Sequence, residues 1–268
     1  WINETCFIYN HSYDGVLQAV ICTLVNGVDD LGITKHTLSE PYNEIFNGGY
    51  LSISYSNLAF YGSEYGYEVN NFFQEPYIKY VTFEGISEFI LKPADVMKYR
   101  HVDEANHVFN HLLPNKHGDK FVFIERFTIK GKRHDRLYLV CNGENGLEVS
   151  ILIKSGMVSH LTWAEDNSIF GYVRGDNGVD GYYKISLEGD KKLITAEYTD
   201  GHPVFLDGST VITDTYPDFF RKQSLYKLNV NSLKMSVLYS NFIPNVFQEE
   251  KRCDFHPKHS AGDKFIYF

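Results

Sequence analysis

Four segments of the chain share one order of residues, and this repeat constrains the fold more than any other feature. Each begins with a histidine followed by an apolar residue or proline, continues through a turn containing Asp or Gly, and ends in a short apolar strand. The leading histidines are His111, His160, His202 and His256, spaced 49, 42 and 54 residues apart. Repeats of about 40–50 residues with several strands each are typical of β-propeller blades.

Short strands bounded by turn residues dominate the rest of the sequence. Clear examples are residues 120–125, 136–140, 168–173, 181–186, 210–213 and 224–228. Aromatic residues make up 16% of the chain, which suits sheets because aromatic side chains fit a pleated, half-buried surface. The first 100 residues carry the pattern more weakly, as one blade at 6–24 and another at 49–92.

These patterns predict an all-β fold, a seven-bladed β-propeller that forms a single domain over residues 1–268. About five to six blades are visible, so the ring is expected to be incomplete in this sequence. A solenoid or a β-sandwich would also give short strands, but neither predicts one residue type at the head of each repeat. Because the sequence begins on Trp1 and stops on Phe268 within an apolar run, we interpret it as an internal fragment.

Charge and composition narrow the function classes. The net charge of −9 argues against a protein that binds nucleic acid through its phosphates. An anionic substrate would need a local cationic site against this global field. No stretch approaches the roughly 18 apolar residues of a membrane span. The four cysteines show no metal-binding spacing, which favours a reducing, cytoplasmic compartment, although a targeting signal could lie outside the sequence.

The leading histidines are the first candidates for chemistry. The innermost strand of each propeller blade lines the central channel, so residues at one repeat position should converge on the axis. Neutral imidazole is a common ligand for divalent metals. A structural hydrogen-bond network is the alternative, but the charged residues Asp200, Arg252 and Asp254 beside the histidines favour a site. In an extended strand, Asp254 and His256 would point to the same face.

A second cluster, Thr-Asp-Thr-Tyr-Pro-Asp at residues 213–218, follows the strand after His202. It supplies Asp214 and Tyr216 as candidate substrate contacts, with Arg221 close behind. A turn-capping role for Asp214 is the alternative interpretation.

A third cluster consists of Arg126, Arg133 and Arg136 at the edge of another blade. Composition alone indicates solvated surface charges there.

At these motifs the sequence resembles the oligogalacturonate-lyase-like seven-bladed propellers, a branch of the WD40-like and TolB-like repeat proteins. It looks closest to bacterial members that share Asp-Gly-His-Pro and Cys-Asp-x-His-Pro, some associated with surface-polysaccharide genes. The residues that carry the resemblance are 159–163, 200–203, 213–218 and 252–257. It covers residues 105–268 well and the first 100 loosely.

The resemblance implies a β-elimination on an acidic sugar. Matched blade by blade, the general base falls on His160, and the arginine beside the uronate carboxylate falls on Arg136. A metal and an arginine would neutralise that carboxylate and acidify the adjacent C–H, and His160 would take the proton. His111 and Arg252 would join the second cluster in binding the substrate.

The resemblance also implies a divalent metal, with Mn²⁺ the expected ion. The metal histidines fall on His202 and His256, and Asp254 stands where the lyase pattern has a further histidine. A carboxylate suits Mn²⁺ as a ligand. Lys251 stands where the pattern has a glutamine, and an ammonium group cannot ligate a metal.

Three functions follow as hypotheses. The first is a metal-assisted polysaccharide or oligosaccharide lyase acting on an acidic, uronate-containing carbohydrate. The second is a non-catalytic propeller that binds a glycan or a protein partner and serves surface-polysaccharide metabolism. The third is a hydrolase or glycan transferase that uses Asp214 and Asp254, although the sequence shows no paired-carboxylate spacing.

Overall fold

In a computed structural model of the protein, residues 1–26, 31–61, 75–143, 146–165, 168–248, 251–260 and 265–268 are described. The strands form six antiparallel sheets, each built from strands in chain order. The first contains β1 (Cys6–Tyr13), β2 (Val16–Asn26) and β3 (Leu31–Leu38). The second contains β4 (Glu44–Phe46), β5 (Gly49–Ile53), β6 (Ile78–Thr82) and β7 (Ser87–Leu91).

The third sheet contains β8 (Glu104–Pro114), β9 (Lys120–Ile129), β10 (Lys132–Gly143) and β11 (Gly146–Gly156). The fourth contains β12 (Val158–Glu165), β13 (Ser168–Arg174), β14 (Asp180–Ser186) and β15 (Lys191–Thr195). The fifth contains β16 (Val204–Asp207), β17 (Thr210–Asp214), β18 (Lys222–Asn229) and β19 (Met235–Phe242). The sixth has only β20 (Lys258–His259) and β21 (Ile266–Tyr267).

The helices of the described residues include only short connections, namely 3₁₀ turns at Tyr55–Phe60 and Met97–Tyr99, the four-residue helix α1 at Pro93–Val96 and a 3₁₀ position at Lys251. None of the helices in the described ranges is long and apolar enough to cross a membrane.

The sheets are arranged as propeller blades, which confirms the all-β propeller predicted from the repeat. Within the described residues, five sheets have three or four strands and the sixth has two. The total of seven blades and the single domain over residues 1–268 stay predictions. The strands predicted from the sequence lie inside β9, β10, β13, β14, β17 and β18.

The core lies between neighbouring blades. Leu51 of the second sheet packs with Phe109, Phe123 and Tyr138 of the third, and the Phe123 and Tyr138 rings stack with centroids 5.0 Å apart. The other face of the third sheet packs on the fourth around Val122. Both faces of β9 are therefore buried, which explains the run of four apolar residues at 121–124. Burying each such side chain contributes about 1.5–3 kcal/mol.

The inner strand of each sheet begins the blade and lies nearest the axis. β8 contacts both β4 and β12, and β12 contacts β16. This arrangement brings the heads of the four repeats together, since each leading histidine lies in or just before such a strand.

Candidate functional site

The four leading histidines form one row at the heads of four consecutive blades. The ring centroids of His111 and His160 are 5.5 Å apart, and those of His160 and His202 are 4.0 Å apart. The rings of His202 and His256 stack at 4.0 Å with an interplanar angle of 25°. The structure thus brings together residues that are up to 145 positions apart in the sequence.

Irregular backbone turns these side chains towards the axis. The pairing of β8 with β9 shifts register between Asn110 and Leu113, and His111 within this bulge has a φ of 48°. The pairing of β12 with β13 shifts around His160 in the same way. His256 has a φ of 45°. Bulges re-aim side chains, and histidine is among the residues that most often adopt positive φ outside glycine.

His160 is held by a carboxylate from the next blade. Its Nδ1 lies 3.2 Å from Oδ1 of Asp200, and the Ser159 hydroxyl donates to Oδ2 of Asp200 at 2.5 Å. Because a carboxylate only accepts, the proton of the neutral imidazole lies on Nδ1 and the Nε2 lone pair is left for a ligand.

His202 is held by Asp214 in an equivalent way. Its Nδ1 lies 2.9 Å from Oδ1 of Asp214, and its backbone N–H donates to the same oxygen at 2.7 Å. The backbone N–H of His256 donates to Oδ2 of Asp214 at 2.8 Å. A Cβ at Gly201 would collide with the Asp214 carbonyl oxygen, which explains why glycine precedes His202. Asp214 therefore positions two histidines rather than only capping a turn.

Two cavities meet at the histidine row. The larger, about 650 Å³, is the axial channel, and the smaller, about 260 Å³, is a mouth cavity formed by the third to fifth sheets and the segment before β20. His111, His160 and His202 line both of them, whereas His256 lines only the channel.

The mouth cavity carries three arginines. Arg252 pairs with Asp254 at 3.1 Å, and its guanidinium lies 4.8 Å from the centroid of the Tyr216 ring. Arg126 and Arg133 also line this cavity. The cavity is thus a local cationic site in a protein of net charge −9.

A single buried carboxylate, Asp135, organises the other two arginines. Its Oδ1 lies 3.6 Å from Nε of Arg126 and 3.1 Å from Nε of Arg133. Asp135 also accepts the backbone N–H of Val158, next to the His160 bulge. Arg126 is only 4% exposed, so the expectation of a merely solvated charge is wrong for this residue.

Burial shifts the pKa values of the histidines and the tyrosine at this site so that the uncharged form of each is favoured. It lowers the pKa of His160, although the hydrogen bond that His160 donates to Asp200 opposes that shift. Desolvation by the surrounding protein also lowers the pKa of His111 and of His256, although His256 keeps an exposed face. Burial raises the pKa of the Tyr216 phenol. At neutral pH the site therefore combines the neutral imidazoles of His111, His160 and His256 with a protonated phenol and guanidinium cations.

Asp214 keeps its charge although it is buried. Its burial acts to raise the pKa, but the hydrogen bonds from His202 and His256 outweigh burial and hold the pKa below its usual value. The carboxylate is therefore charged at neutral pH and able to orient both histidines.

Arg136 does not lie where the sequence comparison predicted. Its guanidinium binds Glu104 and Glu125 and stacks on Phe127, 4.0 Å from the ring centroid, inside the third sheet. It is 3% exposed and lines neither cavity at the histidine row. Arg136 lies on β10 and faces the buried carboxylates of Glu104 and Glu125. Arg126 and Arg133 are the arginines of this sheet that line the mouth cavity.

Arg221 is also directed away from the histidines. Its guanidinium donates to the backbone carbonyl oxygens of Ile243, Pro244 and Phe247, and so holds the loop after β19. Of the other predicted substrate contacts, His111, Tyr216 and Arg252 line the mouth cavity, whereas Asp214 does not line it and is buried against His202.

Two of the predicted metal ligands, His202 and His256, are brought together, but the third, Asp254, is not. Asp254 lines the mouth cavity with Oδ2 on Arg252, whereas His256 lines the channel. The positive φ of His256 breaks the extended alternation that would have put both on one face. In the described ranges, no group of three or more His, Cys, Asp or Glu is placed to hold a metal ion.

Sequence reasoning missed three contributors to the site: Ser159, Arg126 and Arg133. Their signal was weak because each depends on a neighbour in another strand or blade. Asp200 was noted beside His202, yet the structure shows it on His160, one blade earlier.

Comparison with solved structures shows the fold. Oligogalacturonate lyase in complex with manganese matches with a TM-score of 0.58 at 12% identity, over 98% of this chain and 81% of that protein. A puromycin hydrolase S511A mutant complexed with PGG matches with a TM-score of 0.53 at 10% identity, over 88% of this chain. The match spans only 38% of that hydrolase. No family model matches the sequence, and no curated protein shows significant similarity to it. At these identities the shared feature is the propeller fold.

Proposed function

We propose that the protein is a lyase-like enzyme that cleaves an acidic, uronate-containing oligosaccharide by β-elimination. One observation carries the proposal: the mouth cavity brings three arginines to two imidazoles that are each backed by a carboxylate. Its likeness in fold to oligogalacturonate lyase supports the same substrate class.

The arginines would bind the carboxylate of the uronate. Guanidinium and carboxylate groups form strong, charge-assisted hydrogen bonds. Arg252 contributes one such group, and Arg126 and Arg133 the others. Their charge stabilises the anion that develops when the C–H bond next to the carboxylate breaks, which lowers the barrier to proton removal.

His160 would be the general base. Its Nε2 takes the proton from the carbon next to the carboxylate, and Asp200 stabilises the imidazolium that forms. The electron pair of the C–H bond forms the C=C bond, and the glycosidic C–O bond breaks. The Tyr216 ring lies 6.2 Å from the His160 ring, and its phenol would protonate the leaving oxygen. The proton on His160 then restores the phenol through solvent.

The expected Mn²⁺ does not enter this scheme, because the described ligands do not converge. His202 and His256 contact each other, whereas Asp254 is paired with Arg252, and no step of the reaction runs through a metal. Whether Mn²⁺ binds is a direct measurement: elemental analysis of the purified protein, and titration with Mn²⁺ before and after treatment with EDTA.

The decisive assay follows the unsaturated product at 235 nm. Galacturonate, mannuronate and glucuronate oligosaccharides, the last as a chain that alternates glucuronate with a neutral sugar, are each incubated with the protein, with and without Mn²⁺. We expect an absorbance increase with at least one of them, and its loss in His160→Ala. His36→Ala is the matched control, because His36 is an exposed histidine of β3. Absence of unsaturated product from all three, with and without Mn²⁺, would refute the lyase.

A binding-only propeller is the second candidate, and the pairing of Arg252 with Asp254 favours it. The guanidinium of Arg252 can still bind an acidic sugar while it is paired with Asp254. It stabilises the anion that develops in the reaction less than an unpaired guanidinium would, because Asp254 already offsets its charge. Oδ1 of Asp254 is buried and, among the described residues, has no hydrogen-bond partner, so it could accept a sugar hydroxyl. Uronate binding by calorimetry without any 235 nm product would identify this role.

A further inference from the structure

The axial channel is a second compartment that the proposed chemistry does not use. All six sheets contribute to its wall through their inner strands, by Ile8, Ile45, Leu113, Thr162, Val204 and Lys258. Its volume of about 650 Å³ falls within the range of about 300–1,000 Å³ typical of small-molecule sites. It shares three histidines with the mouth cavity, so a ligand bound at the arginines can extend into it.

The channel and the mouth differ in charge. The mouth cavity is lined by three arginines, whereas no arginine lines the channel among the described residues. The described lysine of the channel, Lys258, is paired with Glu44 across the wall at 3.4 Å. A carboxylate placed in the channel would therefore lack the cations that hold one in the mouth.

The remaining lining suits uncharged sugars. The side chains of Trp1, Tyr42 and Tyr267 offer aromatic surface, and Asn43 and Thr162 offer hydrogen-bonding groups. Aromatic surface packs against the apolar C–H faces of a sugar ring, while amide and hydroxyl groups pair with its hydroxyls. The channel wall thus combines aromatic surface with uncharged hydrogen-bonding groups, and it lacks the excess of positive charge that an anion site would have.

We propose that the channel binds the uncharged sugar units next to the acidic one. The substrate class is then an oligosaccharide in which uronate and neutral sugars alternate, rather than a chain of uronates alone. This inference rests on the proposed function, because the arginines must first hold an acidic unit at the mouth.

Calorimetric titration with three probes tests this substrate class. The probes are glucuronate, tetragalacturonate and a hyaluronan tetrasaccharide, in which glucuronate alternates with N-acetylglucosamine. The titrations use the His160→Gln variant, so that no bond is cleaved. We expect the alternating tetrasaccharide to bind at least about tenfold more tightly than either glucuronate or tetragalacturonate, a gain that neutral-sugar contacts in the channel would supply.

Variants of the channel wall test whether the tighter binding of the alternating tetrasaccharide comes from contacts in the channel. Thr162→Phe fills the channel beside β12 and should abolish the tighter binding of the alternating tetrasaccharide. Thr162→Ser keeps the hydroxyl and the space, and should retain it. Thermal unfolding of both variants shows whether the fold is intact, and a channel-filling Val204→Phe variant replaces Thr162→Phe if that variant is unfolded.

The outcomes separate the two proposals. If glucuronate binds but the alternating tetrasaccharide gains nothing, or if the gain survives a folded channel-filling variant, the channel inference is wrong and the lyase proposal stands. If no probe binds and no oligosaccharide yields a 235 nm product, the proposed function fails and the channel inference fails with it.

Discussion

Replacement of Asp214 by Asn tests the reasoning about the histidine row most directly. The carboxylate accepts the backbone N–H and the ring Nδ1 of His202 on Oδ1, and the backbone N–H of His256 on Oδ2. Asn can keep the contacts on one oxygen, but its NH₂ group would face the His256 N–H, donor against donor. One charge-assisted hydrogen bond is lost, and the others become neutral.

The expected cost follows from these contacts. A hydrogen bond to a charged group contributes about 1.5–3 kcal/mol, and charge-assisted bonds are about twice as strong as neutral ones. The Asp214→Asn variant should therefore lower the free energy of unfolding by about 2–4 kcal/mol at pH 7. Asp214 is 1% exposed, so solvent screens little of this effect.

The same variant carries a pH signature. The folded-state pKa of Asp214 lies below its ordinary value of 3.8, so its contribution to stability is present above that value and is lost as pH falls through the folded pKa. Asn has no such dependence. The stability gap between wild type and Asp214→Asn should therefore narrow between pH 5 and pH 3.

Urea unfolding followed by circular dichroism at pH 7, 5 and 3 measures both effects. Asp218→Asn is the matched control, because Asp218 is exposed in the same loop and its Oδ1 accepts two backbone N–H groups, a role that Asn retains. We expect the control to change stability by less than about 0.5 kcal/mol. If Asp214→Asn is as mild as the control, or if the gap is the same at pH 5 and pH 3, the positioning role assigned to Asp214 is refuted.

Three further results are expected. His160 must be deprotonated to act as a base, and burial lowers its pKa, so the acid limb of the pH profile of kcat/KM should lie below pH 6.5. Because Asp200 raises the pKa of His160, the Asp200→Asn variant should move this limb to still lower pH. A limb that does not move in Asp200→Asn would contradict the assignment of His160 as the base. Arg252→Gln should weaken glucuronate binding by about tenfold or more in calorimetry, and Arg252→Lys should weaken it less, whereas equal affinity in all three proteins would exclude Arg252 from the site. Glu125→Gln should lower the free energy of unfolding, measured in urea, by about 3–5 kcal/mol, because Glu125 is fully buried and paired with Arg100 at 2.8 Å. A loss under about 1 kcal/mol would show that the buried ion pairs of Glu125 do not stabilise the fold.

Much of the fold could be predicted because the repeat is local. Strand patterns such as those of β9 and β13 depend on residues two apart on one strand, and the spacing of the histidines reports the period of the blades. The convergence of His111, His160, His202 and His256 followed from that period alone. Positions that depend on irregular backbone were less accessible: Asp254 and His256 were expected on one face, and the positive φ of His256 separates them.

The partners of the charged residues could not be read from the sequence. Arg126, Arg133 and Arg136 look alike in composition, yet Asp135 holds the first two at the mouth cavity, while Glu104 and Glu125 hold Arg136 inside its sheet. Those carboxylates lie on β8, β9 and β10, and which of them meets each arginine depends on strand register and burial. Low-dielectric burial makes such pairings decisive, because an unpaired buried charge is costly.

The sequence by itself determined that this chain is a β-propeller with a row of histidines at its axis, because a repeated residue at a repeated position needs only the symmetry of the fold to converge. Tertiary structure alone decided what that row can do. Contacts across blades place Asp200 on His160 and Asp214 on His202, bring three arginines to the mouth, and leave the axial channel without them. Such contacts join residues far apart in the chain, and no periodicity of the sequence records them.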